Sequence, residues 1–286
     1  MLGRDGSYFA VAPEPVGELH SFLETLSRQA GGGAVVAGFD FPIGVPCAYA
    51  ANCCIYNFVH VLPQLGANEW ADFYRLAEHP WEIRFGRPFY PYRPGNAKQK
   101  HLTDGLCVDN IYQLLRECER ARPGRPAASP LFWTLGAKQV GRAATSGWRD
   151  VLGPALRSGE LDLAVWPFDG ALTELIRPGR VVVAETYPAE FYTHFGIQLI
   201  SKGLQAERAG AAPALLSWAA QHGLRLDPKL ELMMRDGFGP ANGGDDLFDA
   251  LVGLFGMLNV ILGVRSEGFP PDKVRMTEGW ILGQVE

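Results

Sequence analysis

The chain has 286 residues, 47% hydrophobic and 20% charged, with a formal net charge of −5. That length suits one large domain or two small ones, with a core that holds without staples. The acidic balance excludes a protein that coats nucleic acid by bulk charge, although it leaves room for a local basic groove. Five cysteines (Cys47, Cys53, Cys54, Cys107 and Cys118) are odd in number and lack zinc spacing, which points to a reducing, cytoplasmic setting. The start, Met1-Leu2-Gly3-Arg4-Asp5, has no apolar signal core. The longest apolar stretch, residues 247–264, is broken by Gly253, Gly256, Asn259 and Gly263, so it reads as a buried helix rather than a membrane span.

Asp5-Gly6 predicts a turn, residues 8–12 a short strand ended by Pro13, and residues 15–29 a helix with Val16, Leu19, Phe22, Leu23 and Leu26 on one face. Gly31-Gly32-Gly33 stops that helix. The apolar run 34–39 predicts a strand covered on both faces, parallel to the first through a right-handed crossover. Asp40-Phe41-Pro42-Ile43-Gly44-Val45-Pro46 is a rigid exit from it. Residues 47–159 form a mostly helical insertion, with helices expected at 70–77 and 109–120, an ordered loop at 84–101 and a Pro-rich connection at 122–130. Strands follow at 161–166 and 181–186, then helices at 189–195, 211–222 and from 245 onward. The tail, 274–285, forms a last strand or a packed extension around Trp280. The whole is expected to be a single α/β domain, with a core at 1–46 and 160–265 and a C-terminal extension at 266–286.

Carboxylates stand where folding alone would not ask for them. Asp40 and Glu185 end two apolar strands, where ligands bind in open α/β sheets. Asp245, Asp246 and Asp249 fall near the start of an apolar helix. Asp245–Asp249 and Asp246–Asp249 have the spacing that puts two carboxylates on one helix face. Such acids can converge on a divalent cation for hydrolysis of phosphate esters. The structural alternatives are a turn role for Asp40, a helix cap for Asp245 and an ion pair for Glu185. Asp249 lies in an apolar context and calls for a metal or an arginine partner.

Three segments together carry a resemblance. They are Phe39-Asp40-Phe41-Pro42-Ile43-Gly44-Val45-Pro46, Glu185-Thr186-Tyr187-Pro188-Ala189-Glu190 and Asp245-Asp246-Leu247-Phe248-Asp249-Ala250-Leu251-Val252. In that order they resemble the signature segments of the predicted RNase H-like nucleases, the domain-of-unknown-function 429 family. Lys202 and Arg208 fall where that family tends to carry basic residues. The resemblance implies an RNase H-like mixed sheet flanked by helices and a metal-dependent nuclease. Its catalytic residues would be Asp40, Glu185 and Asp249, with Mg²⁺ or Mn²⁺ held by Asp40, Asp245, Asp246 and Asp249. Family members begin with three antiparallel strands, the first bearing a central metal-binding aspartate. Here seven residues precede Tyr8, and Asp5 sits in a turn. A shortened N-terminal hairpin is therefore expected, from a truncated or wrongly started chain or from a site without its central ligand. The second case favours a non-catalytic binding module. A second copy of the chain could cover the open sheet edge. An actin-like phosphotransferase would need two copies of the core, and only one is visible.

Arg84, Arg87, Arg93, Lys98, Lys100 and His101 interleave with Phe85, Phe89, Tyr90 and Tyr92. This pattern suits single-stranded nucleic acid, and equally a solvated loop with core-anchored aromatics. Lys138 and Arg142 add a second anion site. The substrate-binding set is thus Arg93, Lys98, Lys100, Lys138 and Arg142, for nucleic acid or a smaller phosphoester. Cys47 has no histidine beside it in sequence, and no nucleophile elbow is visible.

Overall fold

The computed structural model describes residues 7–122, 125–135, 140–198 and 201–285; the Asp5-Gly6 turn and Lys138 lie outside the described residues. The elements, in chain order, are β1 (Phe9–Ala10), α1 (Leu19–Ala30), β2 (Val35–Phe39), α2 (Cys47–Asn52), α3 (Phe58–Val61), α4 (Gln99–Gly105), α5 (Val140–Ser146) and α6 (Gly153–Ser158). There follow β3 (Leu163–Val165), α7 (Leu172–Leu175), β4 (Val181–Glu185), α8 (Pro188–His194), α9 (Gln205–Gln221), β5 (Arg225–Leu226), α10 (Pro228–Asp236), α11 (Ala241–Ile261) and α12 (Asp272–Glu278). The class is α/β, with two small parallel sheets and flanking helices. Every described strand ladder is parallel, whereas the resemblance implied a mixed sheet; antiparallel pairing is confined to isolated bridges at Arg84–Arg87 and Arg122–Arg125.

Two compact units share the chain: Gly17–Thr186 with the segment from Glu267, and the residues up to Val16 with Tyr187–Ser266. In the larger, β4 is the central strand, paired with β2 (Phe39 opposite Glu185) and with β3 (Leu163 opposite Val181). With a neighbour on both edges and both faces covered, β4 is buried at every position, which its unbroken run Val181-Val182-Val183-Ala184 allows. β2 was expected to be equally enclosed. It is half-buried at every residue, because among the described strands β4 is its only ladder neighbour. The strand exit is fixed from the tail: Val45 N–H donates to the Thr277 carbonyl at 2.8 Å. Gly44 has φ +134°, and a Cβ there would stand 2.2 Å from the Glu278 carbonyl oxygen.

The insertion belongs to this unit and is less helical than expected. Residues 70–77 form turns rather than a helix: Phe73 N–H donates to Trp70 O and Arg75 N–H to Asp72 O, and Ala77 leaves the local pattern, its N–H donating to Phe89 O and its carbonyl accepting from Tyr92 N–H. Residues 109–120 split into 3₁₀ turns at Ile111–Leu114 and Glu117–Glu119, with Leu115 and Arg116 extended between them. Phe58, Phe73, Phe89, Phe132 and Trp148 fill the core they surround.

In the smaller unit, α8, α9, α10 and α11 enclose Phe191, Leu215, Met234, Phe248 and Phe255. β1 pairs with β5, not with β2 as the strand–helix–strand pattern implied. Ala10 and Ala12 are buried in this second core, and Pro13 ends the segment. α11 starts at Ala241, so Asp245 lies inside the helix and is not its cap. Gly244 sits in the first turns because a Cβ there would meet the Arg208 guanidinium at 2.6 Å.

His194, at the end of α8, packs between Phe191 and Phe195, and both ring nitrogens are buried without a hydrogen-bond partner. Burial, helped by the Arg265 charge, lowers its pKa to about 4. The unfolded chain therefore takes up this proton first, so stability held above pH ~6.5 is lost as pH falls toward about 4. In denaturant titrations between those pH values, His194→Phe should flatten that slope. Gly44→Ala should lower unfolding stability by about 2–4 kcal/mol, measured in urea, from backbone strain plus the clash with Glu278.

Candidate functional site

The ends of β2 and β4 lie side by side, so Asp40 and Glu185 end neighbouring parallel strands of one unit. Asp40 is exposed. Glu185 is 4% exposed and is committed to protein partners. Its two oxygens accept from the Arg116 guanidinium at 2.6 and 2.7 Å, and the Ile43 N–H adds a third bond at 2.7 Å. Of the alternatives open for Glu185, the ion pair is the one present. Burial pushes its carboxyl above the ordinary carboxylate range, and the Arg116 charge and the Ile43 amide pull it back.

Arg116 is itself fully buried and joins its own turn, the end of β4, α12 and, through the Ile43 carbonyl at 3.5 Å, the exit of β2. Its Nε donates to Glu119 at 3.0 Å, and one terminal nitrogen donates to the Glu278 carbonyl at 2.9 Å. Glu278 turns its carboxylate to the N–H groups of Cys47 and Glu117. The Cys47 thiol contacts the Thr277 hydroxyl, and burial raises its pKa to about 11, so it is held protonated and is a poor nucleophile. Sequence reasoning missed Arg116, Glu119 and Glu278. A signal existed: Arg116 and Glu119 stand three apart around Cys118, next to the apolar Leu114-Leu115 pair.

Asp245, Asp246 and Asp249 belong to the smaller unit, on α11. Asp249 is the buried member, at 8% exposure. It accepts from the Tyr192 hydroxyl at 2.5 Å and pairs with Lys202. The cation beside it in this arrangement is Lys202, which sequence reasoning placed only as a basic position. Arg208 is buried against three carbonyl oxygens, those of Lys202, Gly237 and Gly239, and so fixes the loop that carries Lys202. The oxygens of Glu185 and Asp249 are thus engaged by protein donors, and as arranged these two carboxylates do not fit Mg²⁺ or Mn²⁺ ligands. Among the described residues no group of three or more His, Cys, Asp or Glu side chains is placed to hold a metal ion.

The basic–aromatic segment splits in two. Arg84 pairs with Asp72, and Arg87 with Glu82 and the Leu76 carbonyl, so both are structural. Phe89 and Tyr90 are buried. The other half faces outward: Arg93 lies over the Tyr92 ring at 5.1 Å, Arg142 donates to the Tyr92 carbonyl, and Lys98 and Lys100 are exposed, Lys100 with Asp104 beside it. Neither Arg93 nor Lys98 has an acidic partner among the described residues. Trp81, 79% exposed, stacks on His79 at 4.4 Å and 9° between planes. Glu82 holds that turn by accepting from the N–H groups of His79 and Glu78, which, with Arg87, lower its pKa to about 2. A pocket of about 320 Å³ opens between the His79 turn and the 90–101 loop.

Comparison with protein families, with curated proteins and with solved structures finds no match. Among the described residues no helix is long and apolar enough to cross a membrane.

Removing Arg116 leaves Glu185 and Glu119 buried without their cation. Arg116→Met should cost about 3–5 kcal/mol of unfolding stability in urea titration, whereas Arg93→Ala, at the surface, should stay within about 0.5 kcal/mol.

Proposed function

We propose that the chain binds single-stranded nucleic acid along the exposed basic–aromatic edge of the larger unit. The observation that carries this reading is a set of exposed aromatic side chains, Trp81 and Tyr92, beside Arg93 and Lys98, which have no acidic partner among the described residues. Trp81 is already stacked on His79, Arg93 lies on Tyr92, and His79 and Arg93 border one pocket. Bases stack on such faces with little regard to sequence, and the cations meet the phosphates. The chain is acidic overall, so attraction is local, and affinity should fall steeply with salt.

The same reading takes the larger unit as RNase H-like. In its support, β2 and β4 are parallel neighbours whose ends carry Asp40 and Glu185, the positions the resemblance implies for the fourth and fifth strands. Cleavage with Mg²⁺ or Mn²⁺ would ask Glu185 to leave Arg116 and Asp249 to leave Lys202 and Tyr192. Binding without cleavage asks for neither.

Fluorescence anisotropy with a labelled oligothymidylate and a duplex of equal length tests this. The single strand should bind more tightly, equally well in EDTA, and more weakly as salt rises from about 50 to 200 mM. Trp81→Ala should cost about 1–3 kcal/mol of binding. Equal binding of the duplex, or no binding at all, refutes the proposal. Mn²⁺-dependent cleavage lost in Asp40→Asn would restore the nuclease reading.

A further inference from the structure

We infer that the pocket bordered by Tyr90, Tyr92, Arg93, Asn96 and His101 takes one unpaired nucleotide of the bound strand; this rests on the single-strand reading above. Its volume, about 320 Å³, is at the small end for ligand pockets, with room for one base and its sugar but not for a base pair. The walls divide by chemistry. Tyr92 is 39% exposed and carries the Arg93 guanidinium over its ring, so a base can stack on that guanidinium plane, whose N–H groups also reach a phosphate.

His101 supplies the reading group. Its Nδ1 lies 3.4 Å from the Lys98 backbone nitrogen and 2.9 Å from the Tyr90 hydroxyl. A backbone N–H can only donate, so Nδ1 is the acceptor, and the neutral ring carries its proton on Nε2. That leaves Nε2–H as a donor for a base oxygen or ring nitrogen. The Asn96 amide at the rim can both donate and accept. Glu78 also borders the pocket, and its negative charge disfavours a chain of phosphates. A single phosphodiester or monophosphate fits this balance better than a triphosphate.

The test uses the full chain, with adenosine 5′-monophosphate, adenosine 5′-triphosphate and the labelled oligothymidylate as probes. The monophosphate should displace the oligonucleotide, and the triphosphate should do so less well. Asn96→Trp, which fills the pocket from an exposed loop, and His101→Phe, which removes the donor, should each weaken both ligands about tenfold, within the range one stacked base contributes. Thermal melting checks that each variant is folded, and Asn96→Trp carries the conclusion if His101→Phe is not. Oligonucleotide binding that is neither displaced by the monophosphate nor changed by Asn96→Trp overturns the pocket assignment and leaves the strand reading standing. Absence of oligonucleotide binding in the unmodified chain overturns both.

Discussion

A single buried guanidinium organises the larger unit. Arg116 meets Glu185 at the end of the central strand, Glu119 in its own turn and the carbonyl end of α12. Burying a charge is costly unless every donor finds a partner, so each of these segments has one position that satisfies the group. Glu278 extends the constraint through its bonds to the N–H groups of Cys47 and Glu117. The network contains three carboxylates and one arginine, and backbone amides supply the remaining donors. Net stabilisation from such an arrangement is small, because desolvation offsets attraction. What it contributes is placement: the Pro-rich exit of β2 is held where the insertion and the tail can both pack on it.

Placement then decides what the surface presents. Arg84 and Arg87 are tied to acids and help hold the loop they belong to, whereas Arg93 and Lys98 stay available. The same division runs through the aromatics: Phe89 and Tyr90 anchor the segment inside, and Tyr92 and Trp81 face solvent. A stretch that reads as one basic–aromatic block in sequence is therefore half scaffold and half recognition surface. The two uses depend on each other, because an exposed ring is a useful platform only when the backbone beneath it is fixed.

How much of this was legible depended on the range of the interactions. Apolar runs and helical spacing are local signals, and they located β2, β3, β4, α1, α8 and most of α9 and α11. Residues 70–77 have helical spacing as well, but they close into short turns and the last of them, Ala77, bonds to Phe89 and Tyr92, and local periodicity carries no record of that. Arg116 looks in sequence like an ordinary surface arginine. Its burial follows from a partner 69 residues away. Glu185 and Asp249 stand out in sequence as acids in apolar settings and both are buried, but sequence could not say whether a metal or a side chain meets them. β1 was found as a strand and given the wrong neighbour, since two alanines buried in a different core outweigh the order of elements along the chain.

The arrangement of the chain gives the Arg116 network a temporal consequence. Its members are separated by up to 162 residues, and the whole smaller unit except its first strand lies between Glu185 and Glu278. Proteins emerge from the ribosome N-terminus first and fold domain by domain. On a nascent chain the larger unit must therefore wait, with Arg116, Glu119, Glu185 and the Ile43 amide assembled but without Glu278, while Tyr187–Ser266 is made and can form its own core. The segment from Glu267, made after the helices of the smaller unit, is the one that closes the larger unit.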